Sequence, residues 1–198
     1  EFDMTTFVDD GVGTAPNDNI NYDVFGLGEL PITYYYGPPT AWYGDDQAKA
    51  IATYQDIKDA GFNIATYIGE MDWSIAEQKR ILEICEDLDM KFFSSAGGGT
   101  IPNESVISEI KEHLYPSSAY LGDFLRDEPS ATEFDAMANY VSKFLAQMPD
   151  KEVYNNLYPM YTRTDRLGTQ TYEQHILEYL DKVPTKSLSY DYYGLLKE

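Results

Sequence analysis

Two sequence periods alternate along this chain, and the alternation restricts its fold more than any single motif does. A short run rich in aromatic and β-branched residues is followed by a longer segment with apolar positions three and four apart, and the pair then recurs. LPITYYYG (30–37), FNIATYI (62–68), MKFFSSA (90–96), AYLGDFLRD (119–127), EVYNNLY (152–158) and SLSYDYYG (187–194) read as strands. Between them, residues 45–61, 76–89, 104–114, 131–148 and 171–183 read as helices. Gly61 stands where a helix would end. Ser74 with Glu77, Thr132 with Asp135 and Thr171 with Gln174 have the spacing of capping boxes.

Strands that alternate with helices need right-handed crossovers and so build a parallel sheet. An open doubly wound sheet and a closed (β/α)8 barrel both satisfy that rule. A dinucleotide-binding sheet carries a Gly-rich phosphate loop after its first strand. Here that turn is YYYGPPTAWYG, without GxGxxG, and its two prolines remove amide donors. AGGGT (96–100) lacks the Lys-Ser/Thr pair of a P-loop.

The polar residues cluster instead where a barrel keeps its function, at the carboxyl ends of strands. Glu70, Asp72 and Trp73 follow the second strand; Asp127 and Glu128 end the fourth; Asn155, Asn156, Tyr158 and Tyr161 run through and past the fifth; Asp191, Tyr192 and Tyr193 end the sixth. The expected fold is therefore α/β, a parallel (β/α) barrel of TIM type over residues 30–198, after an irregular lead-in over residues 1–29. It is incomplete, with about six strands and five helices against eight units for closure. Its two edge strands would lack partners. The remainder of a longer barrel, or a second chain, is the partner this shortfall calls for.

Charge narrows the ligand. Fourteen basic residues against 34 acidic ones give a formal charge of −20, which repels phosphate backbones and anionic membrane surfaces. No nucleic acid or membrane partner is expected, and no apolar run reaches the roughly 18 to 20 residues of a membrane span. A neutral ligand escapes the repulsion. Eighteen tyrosines, many at strand ends (TYYYGPP, ATYIGEMDW, NNLYPMY, SYDYYG), offer apolar rings with hydroxyls, the combination that suits a sugar. Cys85 is the only cysteine, set in ILEICEDL as a small core residue, so no intrachain disulfide can form. No metal or other cofactor is expected: His113 and His175 lack ligand spacing, and the acids of DDGVGTAPNDN do not follow the EF-hand order. The chain starts at Glu1 with no visible signal peptide, and reads as a mature or trimmed form.

YLGDFLRDEPS (120–130), YNNLYPMY (154–161) and YEQHILEYLDKVPTKSLSYDYYG (172–194) resemble successive strand ends of the (β/α)8 glycoside hydrolases, the retaining clan and its uncharacterised bacterial relatives. Those relatives carry Gly-x-x-x-x-Asp-Glu-Pro, Asn-Leu-x-Pro and Ser-Tyr-Asp-x-Tyr in this order, and the resemblance spans residues 31–194. It implies hydrolysis of a neutral oligo- or polysaccharide by a secreted or periplasmic enzyme, with Glu128, at the end of the fourth strand, as acid/base. The clan usually has Asn-Glu at that point. Here Asp127 precedes Glu128, able to accept from a sugar hydroxyl but not to donate to it. The clan's nucleophile ends a seventh strand, beyond the sequence in hand. Tyr35, Trp42, Glu70, Trp73, Asn156, Tyr158, Asp191 and Tyr193 are the substrate-binding residues this reading names, Asp191 as a hydroxyl ligand or an orienter of its neighbours.

The residues themselves support part of this. A retaining mechanism uses two carboxyls about 5 to 5.5 Å apart, one of them a proton donor with a raised pKa. Adjacent strand residues point to opposite faces, so Asp127 and Glu128 are not expected to be that pair. The alternatives are a non-catalytic carbohydrate-binding or structural barrel fragment, and an isomerase or aldolase-like barrel. The charge and the missing phosphate loop count against the latter.

Overall fold

The computed structural model describes residues 25, 27–68, 74–98 and 100–193. The elements below lie in one of its two compact units, Ile32–Glu198. The irregular lead-in falls almost wholly outside the described residues. In chain order the elements are α1 (Gln47–Asp59), β1 (Ile64–Thr66), α2 (Ile75–Asp87), β2 (Lys91–Ser94), α3 (Ser105–His113) and β3 (Tyr120–Asp127). There follow α4 (Phe134–Gln147), β4 (Glu152–Leu157), α5 (Thr164–Leu167), α6 (Tyr172–Lys182) and β5 (Ser189–Tyr190).

All strand pairs are parallel, and their spatial order is the chain order, β1-β2-β3-β4-β5. A doubly wound sheet reverses its order at a switch point. This sheet does not; it curls in one direction as a half-barrel.

The first expected strand, 30–37, is a correction. Only Thr33 pairs, through one parallel bridge to Ile64. Pro31 has no N–H to give a ladder, and the Tyr34 carbonyl is taken by the Thr66 hydroxyl rather than by a strand amide. The segment is nonetheless tied to its neighbour at both ends, by the Ile32 carbonyl accepting from Asn63 and Ile64 N–H and by Gly37 N–H donating to Ile68 O at 3.1 Å. The described sheet thus has five strands, not six, and the short α5 was not expected.

Local chemistry explains the helix ends. Ser74 Oγ accepts from Glu77 N at 3.2 Å, and Thr171 Oγ1 from Gln174 N at 3.1 Å, as their spacing implies. The start of α4 is a second correction. Ser130, not Thr132, makes the box with Glu133, whose carboxylate accepts from Ser130 N at 2.9 Å, and a 3-10 turn (Ala131–Glu133) leads into the helix. Glu133 also takes Arg126 Nε at 2.8 Å, whereas Asp135 pairs with Lys182 Nζ at 2.9 Å.

The helices cover one face of the sheet. Tyr54, Ile81, Leu82, Cys85, Phe92, Ile107, Ile110, Phe134, Met137 and Phe144 are all buried there in one cluster. Each such side chain is worth roughly 1.5 to 3 kcal/mol for a Leu- or Phe-sized group. Asp123 sits in this outer layer with no solvent exposure. Its carboxylate accepts from Ser94 Oγ (2.6 Å), Ala96 N (3.0 Å) and Tyr140 OH (3.3 Å). Burial nonetheless pushes its pKa up to about 6. Next to it, Gly122 lets β3 and β4 approach: a β-carbon there would collide with the Glu152 carbonyl oxygen and lie 2.9 Å from Glu152 N.

Candidate active site

The site begins with register. Asp127 closes β3 opposite Asn156 of β4, and Asn156 lies opposite Ser189 of β5. Side chains in one row share a face, and the period of two puts Tyr154 one layer below Asn156 and Asp191 one layer above Ser189. The lower layer is aromatic. Tyr154 packs against Phe124 (5.3 Å between ring centroids) and Phe93 (5.9 Å), and Tyr35 packs edge-on against Phe124 at 6.1 Å. The acids therefore stand on a ring floor that strips water from one side of them.

Asn156 joins the three strands. Its Nδ2 donates to Asp191 Oδ1 at 2.6 Å and to Asp127 Oδ1 at 3.2 Å. Its Oδ1 accepts from Ser189 Oγ at 3.0 Å, which fixes the amide with its nitrogen toward the acids. Tyr193 OH donates to Asp191 Oδ2 at 3.2 Å. The Tyr35 hydroxyl faces the Asp127 carboxylate. Burial first, then that carboxylate, raises the Tyr35 pKa and keeps the phenol protonated.

Glu128 departs from the alternation expected of adjacent strand residues. Its φ is 44°, in the left-handed region that non-glycine residues rarely occupy. Such a conformation costs on the order of 1 to 3 kcal/mol. Its N–H donates to Asn156 O at 2.7 Å, so the turn happens on the ladder itself. The half-buried carboxyl lies near Asp191. Burial raises its pKa; the charges of Asp127 and Asp191 raise it further, and the guanidinium of Arg166 opposes them. The result is a carboxyl that holds its proton better than a free glutamate does.

Six of the sequence-derived residues thus converge: Tyr35, Asp127, Glu128, Asn156, Asp191 and Tyr193. Tyr158 joins their margin. Its ring packs on His175 at 6.2 Å, and its pKa is raised by burial and by the nearby charge of Glu128. Trp42 is not brought to the acids. It stands 68% exposed on a 3-10 turn (Thr40–Trp42), lining a separate cavity of about 460 Å³ with Tyr34, Tyr36 and Phe62. Glu70 and Trp73, with Asp72, lie outside the described residues. Ser189, Tyr154 and Arg166 belong to the site and were not named from sequence. The pairing of β4 with β5 places Ser189, and ring packing on Phe124 and Phe93 places Tyr154.

No protein-family model, curated protein or solved structure matches this chain. Among the described residues, no three His, Cys, Asp or Glu side chains are grouped to hold a metal ion. No described helix is long and apolar enough to cross a membrane. The arrangement brings together the carboxyl groups of Asp127, Glu128 and Asp191, the Asn156 amide and the phenols of Tyr35, Tyr158 and Tyr193.

Proposed function

We propose that this face hydrolyses glycosidic bonds in a neutral oligo- or polysaccharide, with Glu128 as the general acid. The observation that carries the reading is the Glu128 carboxyl itself. It is half-buried at the carboxyl end of a parallel strand, held in a left-handed conformation, and pushed toward its acid form by burial and two flanking carboxylates. A leaving sugar oxygen is a poor base and needs such a donor, because without it an alkoxide would have to depart. Asp127 and Asn156 beside it suit sugar hydroxyls as acceptor and donor, while Tyr35, Tyr158 and Tyr193 supply ring faces and further hydroxyls.

Under this reading the curled sheet is the first part of a TIM-type barrel. The second carboxyl of the displacement and the remaining strand–helix units come from a longer chain or a partner chain. A secreted or periplasmic location follows from the polymeric substrate. The test is release of reducing ends from a panel of neutral oligosaccharides by the encoded protein and its Glu128→Gln variant. The expected loss in turnover is on the order of 10²- to 10⁴-fold with binding retained. Equal turnover refutes the assignment to Glu128. Binding without release by the wild type would move the reading to a non-catalytic carbohydrate-binding barrel.

A further inference from the structure

We propose that His175 is a positioning residue for the loop that follows β4, residues 158–168, and that it fastens this loop beside the candidate site as a neutral imidazole. The loop leaves β4 two residues after Asn156 and returns against Ser130, two residues after Glu128, so it borders both strand ends that carry the site. Its tip, with Met160 and Tyr161, is exposed.

One side chain meets both ends of the loop. At the return, His175 Nδ1 lies 3.0 Å from the Leu167 carbonyl. Leu167 ends the four-residue α5, where no later turn of helix can donate to that carbonyl. At the departure, the Tyr158 ring packs on the imidazole at 6.2 Å. The first turn of α6 holds the histidine in place, because His175 N–H donates to Thr171 O at 3.2 Å and Thr171 Oγ1 caps the same turn. A second fastening follows at Gly168. Its φ is 73°, and a β-carbon there would lie 2.5 Å from Ser130 Oγ. Only the imidazole touches departure and return alike.

The same contacts fix the protonation state. A carbonyl only accepts, so Nδ1 carries the hydrogen. Nε2 is then the bare acceptor of a neutral ring. It is buried without a hydrogen-bond partner, as is the hydroxyl of Tyr172, whose ring stacks beside the imidazole at 6.4 Å. The His175 side chain has no solvent exposure. A second proton would bring a charge and an N–H among the rings of Phe134, Tyr158 and Tyr172, with no acceptor aimed at it. The titratable groups around the ring are the phenols of Tyr158 and Tyr172 and, on α6 itself, the Glu178 carboxylate, which Lys182 Nζ holds at 3.0 Å. From α4 it meets Phe134, and from α5 the Leu167 carbonyl. Burial lowers the His175 pKa, while the Leu167 carbonyl and Glu178 oppose the shift. A histidine so placed contributes stability that is present above its unfolded value, about 6.5, and is lost progressively as pH falls below it. The loop is therefore fastened at neutral pH and loosened in acid.

The test joins nitrogen-15 NMR of the full chain labelled at histidine with amide hydrogen exchange over the loop. His113→Gln, at an exposed position, leaves His175 as the single histidine. His175 is expected to show the Nδ1–H tautomer at neutral pH and a titration midpoint below about 6.5. Exchange over residues 159–168, corrected for its intrinsic pH dependence, should quicken relative to β4 as pH falls. His175→Asn can offer its own Nδ2–H to the Leu167 carbonyl and does not titrate, so its loop should stay protected with no dependence on pH. His175→Phe has no donor, and its loop should exchange on the order of 3- to 10-fold faster at neutral pH. A purely packing role would not give a pH dependence that Asn removes. The Nε2–H tautomer, a midpoint at or above about 6.5, or wild-type loop exchange that follows β4 at every pH overturns the inference. The first three readouts keep His175 itself, so they decide the matter even where a variant at 175 fails to fold. None of them needs a substrate, so their failure is distinct from failure of the glycosidase reading, which would appear as absent hydrolysis.

Discussion

Replacing Asp123 with Asn removes a titrating group from the buried layer between β3 and α4 while keeping its shape. The side chain has no solvent exposure, and its pKa is pushed from 3.8 up to about 6 by burial, against the donors Ser94 Oγ, Ala96 N and Tyr140 OH. The folded state therefore binds this proton more tightly than the unfolded chain does. The stability linked to the proton is complete below the unfolded value, about 3.9, and is lost as pH rises through about 6. At 1.36 kcal/mol per unit the difference amounts to roughly 3 kcal/mol between pH of about 4 and about 8. Asn can keep Oδ1 for Ser94 Oγ and Ala96 N and turn Nδ2 to Tyr140 OH, and it carries no charge at any pH. Urea unfolding of both proteins across that range is the assay. The wild type should lose stability relative to Asp123→Asn as pH rises, a change of about 1 to 2 M in urea midpoint for an m value near 2 kcal/mol/M. Glu128, Glu152 and His175 also have shifted pKa values but are common to both proteins, so they cancel in the difference. A difference that stays flat with pH would refute the reasoning.

Two further outcomes concern the elements that hold the site. Gly122→Ala should cost about 3 kcal/mol or more, because the new β-carbon meets the Glu152 backbone and the β3–β4 approach must open; chemical denaturation measures it, and a loss below half a kcal/mol would contradict the packing. Ser130→Ala should cost about 1 kcal/mol by removing the Ser130 half of the box with Glu133, whereas Thr132→Val should be near neutral. The reverse ranking in thermal unfolding would restore Thr132 as the cap.

The helices were legible because their signals are local. Ser74 finds Glu77, and Thr171 finds Gln174, within one turn of the chain. At α4 the spacing named Thr132 with Asp135, whereas Ser130 makes the box with Glu133, a residue also tied to Arg126 across the fold. The parallel sheet followed from the alternation of periods, but the extent of its strands did not. Residues 30–37 have strand composition, yet the Tyr34 carbonyl is bound by a side-chain hydroxyl and just one residue, Thr33, bridges to β1. Asp127, Glu128, Asn156 and Asp191 were each legible as strand-end residues, and a parallel sheet gathers its carboxyl ends side by side. The turn at Glu128 was not legible, because a positive φ at a glutamate has no composition signal. Trp42 was misplaced for a related reason: an aromatic residue on an irregular turn has no periodicity to say which way it faces.

The central claim, proton donation by Glu128 to a departing sugar oxygen, is tested most directly by varying the leaving group. Hydrolysis rates for a series of aryl glycosides and a natural oligosaccharide would be compared between wild type and Glu128→Gln. A general acid matters most when the leaving group is a poor one. The variant should therefore lose on the order of 10²- to 10⁴-fold on the natural substrate and little on a dinitrophenyl glycoside, whose leaving group needs no proton. An equal loss across the series, or no loss on the natural substrate, would contradict it.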